Sequence, residues 1–367
     1  MSYNNHSKKP LRVLMMPDYR IDNPYQKLLA DAIQKYDVQV CFPIGYHRVF
    51  PITRAVLDEQ EPIDIFHLHW LETYVKGENI FVHLVYAVKF LIDILLVRLL
   101  GIKVVWTIHN YLEHDTHFSG LELWVRQILV KLTNKVIVHN QSFIAPISQK
   151  YKFAASKAIT IPHGHYRSVY GDLIAKSEAR NKLNLPLNKL IYLNLGMIRP
   201  YKGVENLLRV WQTHEQTWED SLLLIAGNPL NQEYGQKIQE QITQVKNVVL
   251  HDYFIPNQDI NVFFSAADIV ILPFQNVLTS GSVILAMSFG KPIIAPKIGS
   301  LPELLSQANA LLYDPKDEQG LESAISHSRN CNLQELSHLV VTACDNLDWQ
   351  KIGYETVEVY KQCLMNS

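Results

Sequence analysis

Apolar residues along the chain fall in short unbroken runs separated by stretches of helical spacing. Runs at 11–16, 38–42, 63–69, 103–110, 135–139 and 158–162 read as strands buried on both faces. A parallel strand covered by helices on each side shows no polar alternation. Residues 23–36 have helical spacing between the first two runs. Such alternation implies parallel βαβ units. A polar stretch over 170–188 interrupts the pattern, which then restarts. Strands are expected at 189–195, 221–226, 248–251, 269–272, 292–295 and 310–312, with helices over 206–211 and 283–290. The fold class is therefore α/β, two doubly wound Rossmann-like domains facing across a cleft at their carboxyl edges. Their expected extents are 1–170 and 171–345. Residues 346–367 form a C-terminal helix expected to dock back on the first domain. Trp349, Ile352, Val357 and Tyr360 lie near one face of it, while Gly353 works against a helix there.

The segment 81–101, FVHLVYAVKFLIDILLVRLLG, is long and apolar enough to resemble a membrane span. Lys89, Asp93 and Arg98 interrupt it, each costly at a bilayer centre. Lys89 and Asp93 are four apart and can pair on one helix face. The expected form is an amphipathic helix packed on a sheet. A second reading has its outer face touching a membrane surface.

The 367 residues carry a formal net charge of −1, with 48% hydrophobic and 19% charged residues. That permits large cores and argues against a dedicated nucleic-acid binder. Any anionic ligand must be met by local charge. Four scattered cysteines without metal-ligand spacing, and a polar, basic start rather than a secretory signal, suit a cytoplasmic chain.

Candidate chemistry clusters where strands end. The turn 195–205, LGMIRPYKGVE, places Gly196, Arg199, Lys202 and Gly203 after a strand. Arg supplies a planar fork of donors and Lys a point charge, as a pyrophosphate requires. A pair of ordinary surface cations would look the same taken alone. After the strand at 269–272 comes Thr279-Ser280-Gly281-Ser282, opening a helix. One hydroxyl would serve as a plain N-cap; three around a glycine favour phosphate. In the first domain, His69 and Trp70 end one strand, and His109, Asn110, Glu113 and Asp115 end the next. These groups suit proton transfer or acceptor binding. His67 and His69 share strand spacing, but no further ligand has metal-site spacing. His163, in Pro162-His163-Gly164-His165, is either structural or part of an acceptor site. Met16-Pro17-Asp18-Tyr19 stands where a dinucleotide-binding enzyme would carry its glycine fingerprint, so an oxidoreductase is disfavoured.

Together these residues resemble nucleotide-sugar-dependent glycosyltransferases of the GT-B fold, the family 4 group and its relatives. The resemblance is carried by 196–205, by Ala286-Met287-Ser288-Phe289-Gly290-Lys291-Pro292-Ile293-Ile294-Ala295 and by Gly299-Ser300-Leu301-Pro302-Glu303. It implies that Arg199 and Lys202 hold the donor diphosphate, with Gly196, Thr279, Ser280, Gly281 and Ser282 beside them. It also places His109 at the family's active-site histidine. Retaining members carry two glutamates eight residues apart; the matching positions here are Val277 and Leu285. Retaining and inverting outcomes therefore both stay open. An inverting enzyme needs a base, for which His109, Asp115, Glu113 and Asp18 are the candidates in that order. His69, Trp70, Asn110 and His163 are the acceptor-binding candidates.

The pattern is similar to a bacterial subgroup of polysaccharide mannosyltransferases. It implies transfer of a hexose from a nucleotide diphosphate sugar to a glycan or lipid-linked saccharide, at the inner face of the cell membrane. GDP-mannose is favoured, with UDP-glucose and UDP-glucuronate open. No cofactor and no metal are expected, since no Asp-x-Asp triplet occurs. A nucleotide-sugar hydrolase or epimerase, or a catalytically silent binding module, is the alternative.

Overall fold

The structure is a computed structural model that describes residues 9–21, 23–43, 45, 49–110, 118–277 and 280–365. The chain divides into two compact units, Met1–Gly164 with Trp349–Ser367, and His165–Asp348. The divisions fall at 164/165 and 348/349, against 170/171 and 345/346 expected from the sequence. The shift has a physical reason. The polar stretch after residue 170 is no linker, because its Arg180 is buried within the second unit.

In chain order the first unit contains β1 (Leu11–Met16), α1 (Pro24–Ile33), β2 (Val38–Cys41), α2 (Pro51–Leu57), β3 (Ile65–Leu68), α3 (Ile80–Leu99), β4 (Lys103–Ile108), α4 (Ser119–Leu132), β5 (Lys135–Val138), α5 (Ile144–Tyr151) and β6 (Ala158–Thr160). Its strands form one parallel sheet in the order β2-β1-β3-β4-β5-β6. Val13, Ile65, Val105 and Ile137 fill the core on one face of it. Asn23 starts α1 by accepting from the Tyr25 N–H at 3.0 Å, with Pro24 pre-set for the first turn.

The second unit contains α6 (Lys176–Lys182), β7 (Leu190–Leu195), α7 (Val204–Thr213), β8 (Ser221–Ala226), α8 (Gln232–Ile242), β9 (Val248–His251), α9 (Ile260–Ala266), β10 (Ile269–Ile271), α10 (Gly281–Ser288), β11 (Ile293–Pro296), α11 (Leu301–Leu304), β12 (Leu311–Tyr313), α12 (Gly320–Ser328) and α13 (Leu333–Asp345). Its parallel sheet runs β12-β11-β10-β7-β8-β9. Asp268 ties its start together. Its carboxylate accepts from the Ile191 N–H and from Arg180 Nη2, each at 2.7 Å, and also meets Lys176.

The last helix, α14 (Trp349–Met365), belongs to the first unit and packs on α1. Trp349, Ile352, Val357 and Tyr360 enter the core beside Leu29 and Ile33. Gly353 lies in this helix after all, because a Cβ there would come within 2.8 Å of the Ala32 backbone. The glycine costs helix propensity and gains close helix approach.

Chain order reverses beside β1 in the first sheet and beside β7 in the second. Open α/β sheets bind ligands outside the carboxyl ends of the strands at such points. The segments after β1 and β3, and after β7 and β10, are therefore where chemistry is expected.

Helix α3 is, among the described residues, the one helix long and apolar enough to cross a membrane by length and composition. Its Asp93 is buried and accepts from the N–H groups of Ile52 at 2.9 Å and Thr53 at 2.8 Å, capping α2. Phe81, Val85, Val88, Ile92, Leu95 and Leu99 form an exposed stripe at helical spacing.

Candidate active site

In the second unit, β7 delivers the chain to Gly196 and a tight turn over Pro200–Lys202. The loop after β10 lies against this turn, with the Gln275 N–H donating to the Tyr201 carbonyl at 2.8 Å. Lys202 Nζ donates to Ser282 Oγ at 3.0 Å and sits 4.9 Å from the Phe274 ring centroid. Gly196 has φ +136°, and a Cβ there would lie 3.3 Å from Ser282 Oγ and 3.5 Å from Lys202 Nζ. Only a glycine leaves that space beside the ammonium. Desolvation, with the nearby charge of Arg199 second, pushes the Lys202 amine down to about 8. Ser280 caps α10 by accepting from the Val283 N–H at 3.3 Å. Gly281 and Ser282 then open the helix with their N–H groups at its positive end. The structure thus brings Gly196, Lys202, Ser280, Gly281 and Ser282 together, with Arg199 at the head of the same turn. Thr279 lies outside the described residues. Val277 and Leu285 are both buried and apolar.

In the first unit, histidines converge at the carboxyl edge of the sheet. His67 lies within β3, with His69 and Trp70 just past its end; His109 follows β4, His139 follows β5, and His163 lies past β6. The Tyr25 ring on α1 packs against His109 at 5.0 Å, His139 at 5.7 Å and His163 at 4.6 Å. His109 is half-buried and stacks on Trp70, centroids 4.4 Å apart and planes 14° from parallel. One of its ring nitrogens faces His69 Nδ1 at 3.2 Å and the other faces His139 Nε2 at 3.3 Å. His67 is bonded on both sides, to Tyr360 Oη at 2.7 Å and Thr107 Oγ1 at 2.8 Å. His163 faces the Gly164 carbonyl at 2.8 Å. Burial, reinforced by neighbouring histidines, holds His69 and His109 well below the usual imidazole range. Burial also brings His139 to about 4 and His163 to about 3. These rings are neutral at pH 7.

His69, Trp70, His109 and His163 are thus brought together, with half-buried Asn110 beside His109. Asp18 is engaged elsewhere: both its oxygens accept from Arg20, each at 2.8 Å. Those bonds lower its pKa, which weakens it as a base. Glu113 and Asp115 lie outside the described residues. The sequence reading missed His139 and Tyr25. A signal for the first was present, since His139-Asn140 ends its strand as His109-Asn110 ends the strand beside it.

Residues 175–337 match the family model described as glycosyl transferases group 1. A GDP-mannose:glycolipid 4-beta-D-mannosyltransferase of Xanthomonas campestris pv. campestris is 27% identical over 348 residues, spanning 93% of this chain and 89% of that one. The solved HepE of Anabaena in complex with UDP and glucose superposes with a TM-score of 0.70 at 18% identity, covering 96% of this chain and 100% of that one. WaaG, described as a glycosyltransferase involved in lipopolysaccharide biosynthesis, gives a TM-score of 0.66 at 13% identity, covering 95% and 99%. The fold is that of GT-B glycosyltransferases, and 175–337 is its glycosyl transferases group 1 domain. The clusters at the carboxyl edges of the two sheets are the candidate ligand sites.

Proposed function

We propose that this glycosyltransferase moves a hexosyl group from a nucleotide diphosphate sugar to a glycan or lipid-linked saccharide in polysaccharide or glycolipid assembly. GDP-mannose is the favoured donor, ahead of UDP-glucose and UDP-glucuronate. The observation that carries the reading is the Lys202–Ser282–Gly196 cradle at the β7/β10 switch point. An ammonium lies beside a helix N-terminus there, and Gly196 sets no side chain against it. Arg199 and Lys202 would neutralise the departing diphosphate without a metal ion, and fixed charge aimed at a leaving group lowers the barrier. The likeness to a GDP-mannose-dependent enzyme supports the choice of base and sugar.

The proposed outcome is inversion. Val277 and Leu285 offer no carboxylate to the transferred sugar, so a direct displacement needs only a proton acceptor for the attacking hydroxyl. The histidines around His109 are that acceptor, and Trp70, Asn110 and His163 contact the saccharide. The exposed stripe on α3, with half-exposed Trp124 on the neighbouring α4, suits peripheral contact with a bilayer where a lipid-linked acceptor resides.

The test measures nucleoside diphosphate release from each donor, with and without a saccharide acceptor. The reading predicts release from one donor that depends on acceptor and disappears in Arg199→Ala/Lys202→Ala. Equal release without acceptor would mean a hydrolase. Binding with no release from any donor would mean a silent binding module.

A further inference from the structure

The histidines at the first sheet's edge are joined in a fixed direction. The Ile161 carbonyl can only accept, so His139 Nδ1, 3.0 Å away, carries the proton. A neutral imidazole has a single N–H, which makes His139 Nε2 an acceptor. His109 Nδ1, at 3.3 Å, must then donate to it. That leaves His109 Nε2 bare, and His69 Nδ1 donates to it at 3.2 Å. The chain of bonds ends at His69 Nε2, a buried lone pair with no hydrogen-bond partner among the described residues. Leaving a buried polar atom unpaired is unfavourable, and a ligand hydroxyl would satisfy this one.

We propose that His69, His109 and His139 act as one base, in which His69 receives the acceptor proton, His109 holds the charge and His139 sets the direction. This rests on the reading that the first unit deprotonates the attacking hydroxyl. The hydroxyl O–H bond breaks and its proton bonds to His69 Nε2. The Nδ1 proton of His69 passes to His109 Nε2. The oxygen electron pair forms the bond to the sugar's anomeric carbon, whose bond to the diphosphate breaks. His69 is left neutral as its Nε2–H tautomer, and the diphosphate leaves with the electron pair. His69 Nε2 is sealed from solvent in the free protein, so acceptor binding must part the side chains over it.

The charge settles on His109 for three reasons. Its Nδ1–H points at His139 Nε2, and its new Nε2–H points at His69 Nδ1. Its ring also lies parallel to Trp70 at 4.4 Å, and an indole face attracts a cation. His69 offers less, being fully buried with His67 4.2 Å away, ring to ring. A weak base suffices, because a hydroxyl forming a bond to a sugar cation becomes far more acidic than an alcohol. His139 touches no reacting atom and is a positioning residue.

Two measurements on the full chain test this. Nitrogen-15 NMR of labelled histidines at pH 7 should find His69, His109 and His139 all protonated at Nδ1 and bare at Nε2. This readout needs no substrate. In kinetics, His69→Gln keeps the bond to His109 but cannot relay a proton, and should lose about 100-fold or more in kcat with KM little changed. Adding His109→Gln should cost little more, because the residues act as a unit. His139→Leu should lower kcat about tenfold. His139→Gln can accept from His109 and donate to Ile161, and should restore most of that loss. An Nε2–H tautomer in any of the three rings, or wild-type kcat in His69→Gln, overturns the proposal. A wild-type chain that releases no diphosphate from any donor overturns the underlying reading instead, while the NMR pattern still reports the direction of the chain.

Discussion

With the diphosphate placed on Lys202 as proposed, nucleotide binding depends on pH in a calculable way. Its amine is pushed down to about 8, chiefly by desolvation and then by Arg199. A diphosphate binds the charged ammonium, so affinity is full below pH 8 and falls as the amine loses its proton above it. From pH 7 to pH 9 the charged fraction drops about tenfold, which is about 1.4 kcal/mol of binding free energy. The terminal phosphate, with a pKa near 6, is already ionised throughout this range. Isothermal titration with GDP or UDP at pH 7, 8 and 9, in buffers of different ionisation enthalpy, measures both consequences. The apparent Kd should weaken about tenfold, and close to one proton should be taken up per nucleotide bound at pH 9. Lys202→Arg should flatten the curve, since guanidinium stays charged. A Kd unchanged to pH 9 with no proton uptake would refute the placement of the diphosphate on Lys202.

Three further outcomes follow from other parts of the molecule. The buried histidines have folded pKa values below their unfolded values, so the unfolded chain binds more protons as pH falls below about 6.5. Each should then cost up to about 1.4 kcal/mol per pH unit; the melting temperature should drop steeply from pH 6.5 to 5, and a flat profile would contradict their burial as neutral rings. Asp268→Asn leaves Arg180 buried without its anion and should destabilise by about 3–5 kcal/mol in chemical denaturation, whereas a loss under 1 would contradict the network. Replacing Phe81, Val85 and Leu99 by serine should reduce sedimentation with anionic liposomes several-fold while leaving nucleotide binding intact, and unchanged sedimentation would remove α3 from the membrane contact.

The strands were legible because parallel strands covered on both faces must be apolar throughout, as the fully buried Ser221–Ala226 illustrates. The turn proposed for the donor stands out in the sequence because its residues are local: Gly196, Arg199 and Lys202 lie within seven residues. What the sequence hid depends on contacts between distant segments. Gly353 weakens a helix by propensity, yet it fits against Ala32, more than 300 residues away. Asp93, which by spacing shares a helix face with Lys89, also caps α2 across 40 residues of chain. The histidines were visible one by one, but their order of bonding was not. It is set by strands β3, β4 and β5 lying side by side, and by the Ile161 carbonyl at the end of the row.

The central claim is that the β7/β10 switch point holds a nucleoside diphosphate. Thermal unfolding with GDP, UDP and ADP tests it most directly, comparing the wild type with Arg199→Ala/Lys202→Ala. The account predicts stabilisation by one nucleotide, about 2.7 kcal/mol at a hundredfold excess over Kd, and its loss in the double variant. Stabilisation that survives the double substitution, or none with any of the three nucleotides, would contradict it.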